Sequence, residues 1–241
     1  MQRSIICAAL AVALFSSSIA QTQEAPRSSY SGGTRQSVLS GQTLGEGATS
    51  FHGQVGWPGL AFSLLHGVAP KVDFGGKLSL LYGYEGITRV DPLPGVKMQG
   101  VVKLNLLERG KLNFGLRFSP GLFFYFFDGY TQPGLTLPID VVLGIAVAPN
   151  LMINVGIDFP IFVAFGEFSG LVVPVLAGGG LEYFLDRNLG ITFNVRAGPS
   201  ALVTDDYPSY YVCEDALGRP YRCGRRTLTA AEFLVGISYK F

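Results

Sequence analysis

At 241 residues the chain has room for one large all-β domain or two small ones. Apolar residues make up 48% and charged residues only 15%, against roughly 25% charged in ordinary soluble proteins. The formal charge of +1 excludes the concentrated basic face of a nucleic-acid binder, and 32 glycines and 14 prolines among short apolar runs favour strands and turns over helices.

At the amino end Arg3, the apolar run 5–15 and the small residues Ser18, Ile19 and Ala20 compose a secretory signal over residues 1–20, with cleavage expected after Ala20. Cys7 leaves with it. The remaining Cys213 and Cys223 then meet an oxidising compartment, where a disulfide between them is expected. Residues 21–46, rich in Ser, Gln, Gly and Thr, read as a flexible leader. Beyond Ala20 no apolar run is long and uninterrupted enough for a helical membrane span.

Residues 47–241 read as one barrel domain built on alternation. A strand over 50–57 turns at Trp57-Pro58-Gly59 into a second over 59–68. Over 72–84, Val72, Phe74, Leu78, Leu80 and Tyr82 share one face, and Asp73, Lys77 and Ser79 the other. Met98, Val102, Leu104 and Leu106 alternate with Lys97, Gln99, Lys103 and Asn105, and Leu112, Phe114, Leu116 and Phe118 with Asn113, Arg117 and Ser119. Further strands carry Leu137 to Val147, Ile153 to Ile161, Val173 to Leu185 and Ile191 to Val195 on their apolar sides, with Asp140, Asn154, Asp158, Glu182, Asn194 and Arg196 opposite. Short connections at 69–71, 108–111, 148–150 and 186–188 alternate with longer ones near 85–96, 127–135, 164–170 and 204–226, so all short turns fall at one end. Pro58, Pro120, Pro138, Pro160, Pro174 and Pro199 each stand about ten residues from a short turn, the length of a tilted membrane strand, and are expected to mark the outer rim. The count is ten strands, or eight if the first segment is irregular or plugs the barrel.

The chain ends in FLVGISYKF, with Phe233, Val235, Ile237, Tyr239 and Phe241 on one face. So apolar a face with no chain left to cover it is expected to meet lipid, and a strand in lipid satisfies its backbone only inside a closed barrel. In these features, over residues 48–241, the chain resembles small bacterial outer-membrane β-barrel proteins. The resemblance implies an all-β fold, a closed antiparallel up-and-down transmembrane barrel in the cell outer membrane. It also implies that Val235, Ile237, Tyr239 and Phe241 form the signal read by the barrel-assembly machinery, with outer-membrane lipid as the surrounding partner.

The inward set Asp73, Glu85, Asp140, Asp158, Glu182 and Glu232 balances Lys77, Lys97, Lys103, Arg117, Arg196 and Lys240. Balanced charges in a narrow lumen pair with one another. The expected role is therefore structural or a passive, porin-like passage for small solutes, without cofactor or metal and without catalysis. Two alternatives remain. A lipid-modifying enzyme would use His52 with Ser50, which share a face. An adhesion surface would use the 204–226 loop, with its tyrosines Tyr207, Tyr210, Tyr211 and Tyr221 beside several arginines. Two aromatic girdles are expected, with Trp57, Tyr82, Tyr84 and residues 123–127 at the outer end, and Phe74, Phe114, Tyr183, Tyr239 and Phe241 at the inner.

Overall fold

Period-two alternation with β-branched and aromatic residues folds here into strands, and no helix occurs among the described residues. The computed structural model describes residues 37–83, 94–127, 129–166, 169–202, 212–214, 220–222 and 228–241, all within the unit Thr34–Phe241. Its strands are β1 (Thr49–Trp57), β2 (Gly59–Ala69), β3 (Val72–Leu81), β4 (Gly95–Arg109), β5 (Leu112–Phe118), β6 (Gly121–Phe127), β7 (Tyr130–Ala148), β8 (Leu151–Ala164), β9 (Gly170–Pro174), β10 (Leu176–Phe184), β11 (Leu189–Leu202), β12 (Val212–Glu214), β13 (Pro220–Arg222) and β14 (Leu228–Lys240).

Every barrel pairing is antiparallel. β5 and β6 are halves of one stave interrupted at Ser119-Pro120, since both pair with β4 on one side and β7 on the other. β9 and β10 are likewise halves of one stave, both between β8 and β11. With the halves joined there are ten staves, and β1 pairs with β14 to close the ring. β12 and β13 form a separate two-stranded ribbon within the last long connection.

The ladder fixes the tilt. Starting at Thr49, the row of partners runs through His66, Phe74, Val102, Phe118, Ile139 and Phe159, then Val175, Pro199 and Thr229. It re-enters the register of β1 at position 61, twelve residues beyond its start. A stagger of that size over ten staves tilts them by roughly 40° from the barrel axis, as membrane barrels require.

The short turns fall where expected, with two residues between β2 and β3, between β4 and β5 and between β7 and β8, and a tight turn between β10 and β11. The outer face is apolar around the whole ring, with Phe62, Leu78, Met98, Leu122, Leu137, Ile157, Leu181, Ile191, Phe233 and Ile237 all exposed. Such a surface is stable only against hydrocarbon.

Several expectations need correction. The connection at 127–135 is no long loop: β6 runs to Phe127, β7 starts at Tyr130, and residues 130–135 are strand. Pro58 stands at the tip between β1 and β2 as expected, but the other five prolines lie within their staves and do not mark the rim. Pro138 and Pro160 face each other across β7 and β8, which continue outward to Tyr130 and Ala164. Lacking a donor, proline still offers a carbonyl, and Ser119 N donates to Pro138 O at 3.0 Å and Gly100 N to Pro120 O at 2.9 Å, so the sheet carries on past them. Phe123 and Tyr125 leave the outer girdle, because they point inward and are buried. In GLFFYFF both faces are apolar, so parity alone cannot tell inside from outside. The leader is not flexible over its last part: residues 37–44 are buried. The signal at 1–20, Tyr84, Glu85, Cys223 and most of the 204–226 loop lie outside the described residues.

Candidate functional site

The lumen is the one region where charged side chains converge, and three layers fill it among the described residues. At the short-turn end, residues 37–44 cross the inside of the ring as a floor. Ser37 Oγ donates to Glu182 Oε2 at 2.5 Å, and the Val38 amide donates to the same carboxylate at 3.2 Å. At the other end of the segment the Leu44 amide donates to both oxygens of Asp73, at 2.9 and 3.1 Å. Lys103 Nζ also donates to Ser37 O at 2.7 Å at the Glu182 end, and in between Asn105 Nδ2 donates to Gly41 O at 3.1 Å and Thr43 Oγ1 to Pro70 O at 2.9 Å. Val38, Leu39 and Leu44 pack on Leu65 of β2 and Val101 of β4. Gly41 lies against the backbone of Gly115, too close for any side chain at either position.

The middle layer follows from register. Asp73, Lys103, Arg117, Asp140 and Asp158 stand directly opposite one another across successive staves, on β3, β4, β5, β7 and β8. Opposite charges across a ladder attract, and like charges repel. Arg117 Nε reaches Asp140 Oδ2 at 2.6 Å. Asp140 and Asp158 are a like-charged pair, and Arg196 of β11 resolves it by bonding Asp140 Oδ1 and reaching Asp158 Oδ2 at 2.9 Å. Asp140, Asp158 and Arg196 are all buried. Above the floor a cavity of about 70 Å³ remains, bordered by Lys77, Lys97, Gln99, Asn194 and Glu232 as well as this cluster. That is room for a few water molecules.

At the end of the longer connections the lumen turns apolar. Leu81, Phe123, Tyr125, Phe162, Ala164 and Val172 form a buried cluster. Phe123 meets Tyr125 at 5.4 Å between centroids and Phe162 edge-on at 5.8 Å, geometries that aromatic rings favour. Gly134 is the floor under the Phe123 ring, where a Cβ would collide with it.

Of the twelve charged residues read from the sequence as inward, ten border this interior, while Glu85 lies outside the described residues and Lys240 is half-buried at the end of β14. Asp73, Lys103 and Glu182 meet the floor, and Lys77, Lys97, Arg117, Asp140, Asp158, Arg196 and Glu232 line the cavity. His52 and Ser50 also face inward, but His52 Nε2 bonds Thr192 Oγ1 at 2.9 Å, and both residues are turned away from the acyl chains a lipid-modifying enzyme would act on. His66 faces outward and meets Thr49 Oγ1 at 2.8 Å. Val235, Ile237, Tyr239 and Phe241 are exposed on the outside of β14. No group of His, Cys, Asp and Glu among the described residues is arranged to hold a metal ion. Sequence reading missed the floor and the aromatic layer. For the floor a signal existed in the spaced apolar residues Val38, Leu39 and Leu44 within an otherwise polar stretch.

No protein-family model matches the chain, and no curated protein matches it. Among solved structures it is similar to OmpT (in-vitro folded), an outer membrane protein of Vibrio cholerae, at 11% identity and a TM-score of 0.37, over 80% of this chain and 61% of that one. The chain thus spans about three-fifths of that protein. A ring of ten antiparallel staves, closed on itself and apolar outside with a charged interior, gives this chain the architecture of a membrane-spanning β-barrel.

Proposed function

We propose that this protein is a structural component of the outer membrane, a barrel kept shut at rest by its own residues 37–44, in preference to an open porin-like passage. The observation that carries the reading is the floor, where charged wall groups hold the segment at both ends and Asn105 holds its middle. Each hydrogen bond to a charged group is worth roughly 1.5–3 kcal/mol net, so an unbonded, wandering segment is strongly disfavoured. The ion cluster and the aromatic layer support the same reading, because a conducting lumen needs a continuous wet path and these side chains fill it. In this reading lipid is the partner of the outer face, and the barrel-assembly machinery engages the outward residues Val235, Ile237, Tyr239 and Phe241 of β14. Secretion through a signal cleaved near Ala20 delivers the chain. Planar-bilayer recording on the full chain tests the proposal. Silence apart from rare, brief openings is expected, and sustained porin-sized steps would overturn it.

A further inference from the structure

We infer that the short-turn end of the lumen is a peptide-binding groove, and that residues 37–44 are its resident, releasable ligand. The segment belongs to no strand, and the wall reads it largely through its main chain. Glu182 and Asp73 take the amides of Val38 and Leu44, while Lys103 and Asn105 give to the carbonyls of Ser37 and Gly41. These four groups come from three staves, β3, β4 and β10, and are spaced along the segment, which bends over residues 38–41 where Ser40 N donates to Ser37 Oγ at 2.9 Å. Specificity comes from three further contacts. Gly41 is the only residue type that fits against Gly115, Ser37 and Thr43 offer hydroxyls to Glu182 and Pro70, and the apolar Val38, Leu39 and Leu44 enter the cluster with Leu65 and Val101.

The groove also has a hinge. Gly45 and Gly47 both have φ of +80°, a conformation other residues rarely adopt, and they turn the chain from the floor into β1. Release of the segment therefore leaves the first stave in register, since the pairings of β1 begin at Thr49 and Ser50. A peptide of matching chemistry bends as residues 38–41 do, carries a glycine at its centre, has small hydroxyl residues near it and apolar residues at the positions of Val38, Leu39 and Leu44.

The test keeps the wall intact and disables only the ligand. In full-length V38P/L44P both amide donors are lost, because proline has none. The folded state is verified by the faster electrophoretic migration of the unheated barrel. Hydrogen exchange across residues 37–44 should rise relative to wild type. A labelled synthetic peptide SVLSGQTLGEGA, covering residues 37–48, should then bind the variant at least about tenfold more tightly than it binds wild type, whose groove is occupied, given the strength of two charge-assisted bonds. The same peptide with proline at its second and eighth positions should not bind. G41V is the second variant, displacing the segment by collision with Gly115 while leaving every wall group in place. Persistent protection of 37–44 in both folded variants, or equal binding of the native and proline peptides, overturns the inference. So does failure of both variants to fold, which would make the segment an inseparable part of the barrel.

Discussion

Arg196 is the residue on which the middle of the barrel depends. Register places Asp140 and Asp158 directly opposite each other, and a like-charged buried pair is destabilising unless something stands between them. Arg117 serves Asp140 alone, at 2.6 Å. Arg196 contacts both carboxylates and is only 5% exposed, so solvent cannot replace it. In Arg196→Leu, Asp140 keeps one cationic partner and Asp158 loses the guanidinium that bonds it. Breaking a buried ion pair from one side costs roughly 3–5 kcal/mol, most of it the burden of the charge left behind. If that accounting is right, taking away the stranded charge as well should restore most of the loss. The double variant Arg196→Leu, Asp158→Leu, which retains the Arg117–Asp140 pair, should return to within about 1–2 kcal/mol of wild type. Urea unfolding followed by the fluorescence of Trp57, the chain's single tryptophan, reads both changes at neutral pH. An Arg196→Leu variant within about 1 kcal/mol of wild type would refute the bridging role, given that ordinary exposed ion pairs fall in that range. A double variant no more stable than the single one would refute the stranded-charge explanation.

Two further substitutions probe the layers on either side of the wall. Ile157 sits mid-stave on β8 with its side chain outward, so Ile157→Lys in lipid vesicles should cost about 2–4 kcal/mol, the toll of a lysine at the bilayer midplane. An unchanged urea midpoint would show that this face does not meet hydrocarbon. Phe123→Ala empties the centre of the aromatic layer and should cost about 3–5 kcal/mol, as large buried aromatic truncations do. Loss of less than about 1 kcal/mol would place that ring in open solvent.

What the sequence could and could not disclose follows from the symmetry of a barrel's two environments. Where lipid lies outside and charge inside, as on β3, parity alone assigns every residue, and Asp73, Lys77 and Ser79 fall inward as read. That is why the ten staves, the short turns and the lumenal charges were legible. Parity fails on β6, where Leu122, Phe123, Phe124 and Tyr125 are all apolar, and only the ring closure places Phe123 and Tyr125 inside. Proline misled for a related reason. A missing donor breaks a ladder only where the neighbour needs it, and at Pro138 and Pro120 the neighbours use the carbonyl instead.

The floor is the deeper case. A polar, glycine-containing stretch ordinarily reads as a solvated loop, because in a water-soluble protein the interior it would have to enter is apolar. A membrane barrel inverts that premise: its interior offers carboxylates, ammonium groups and amides, so a segment such as SVLSGQTL can be buried by the very composition that argues for exposure elsewhere. Ser37 is fully buried beside Glu182, and Leu44 beside Asp73. The wall residues give the reason it must be so. Asp73 and Glu182 are enclosed by a ring whose outer face is apolar, and the floor brings the Leu44 amide to the first and the Val38 amide and Ser37 hydroxyl to the second. In a barrel, inward carboxylates such as Asp73 and Glu182 can therefore take the amides of a lumenal segment, and the polar stretch just upstream of the first stave is the piece of chain that supplies them here.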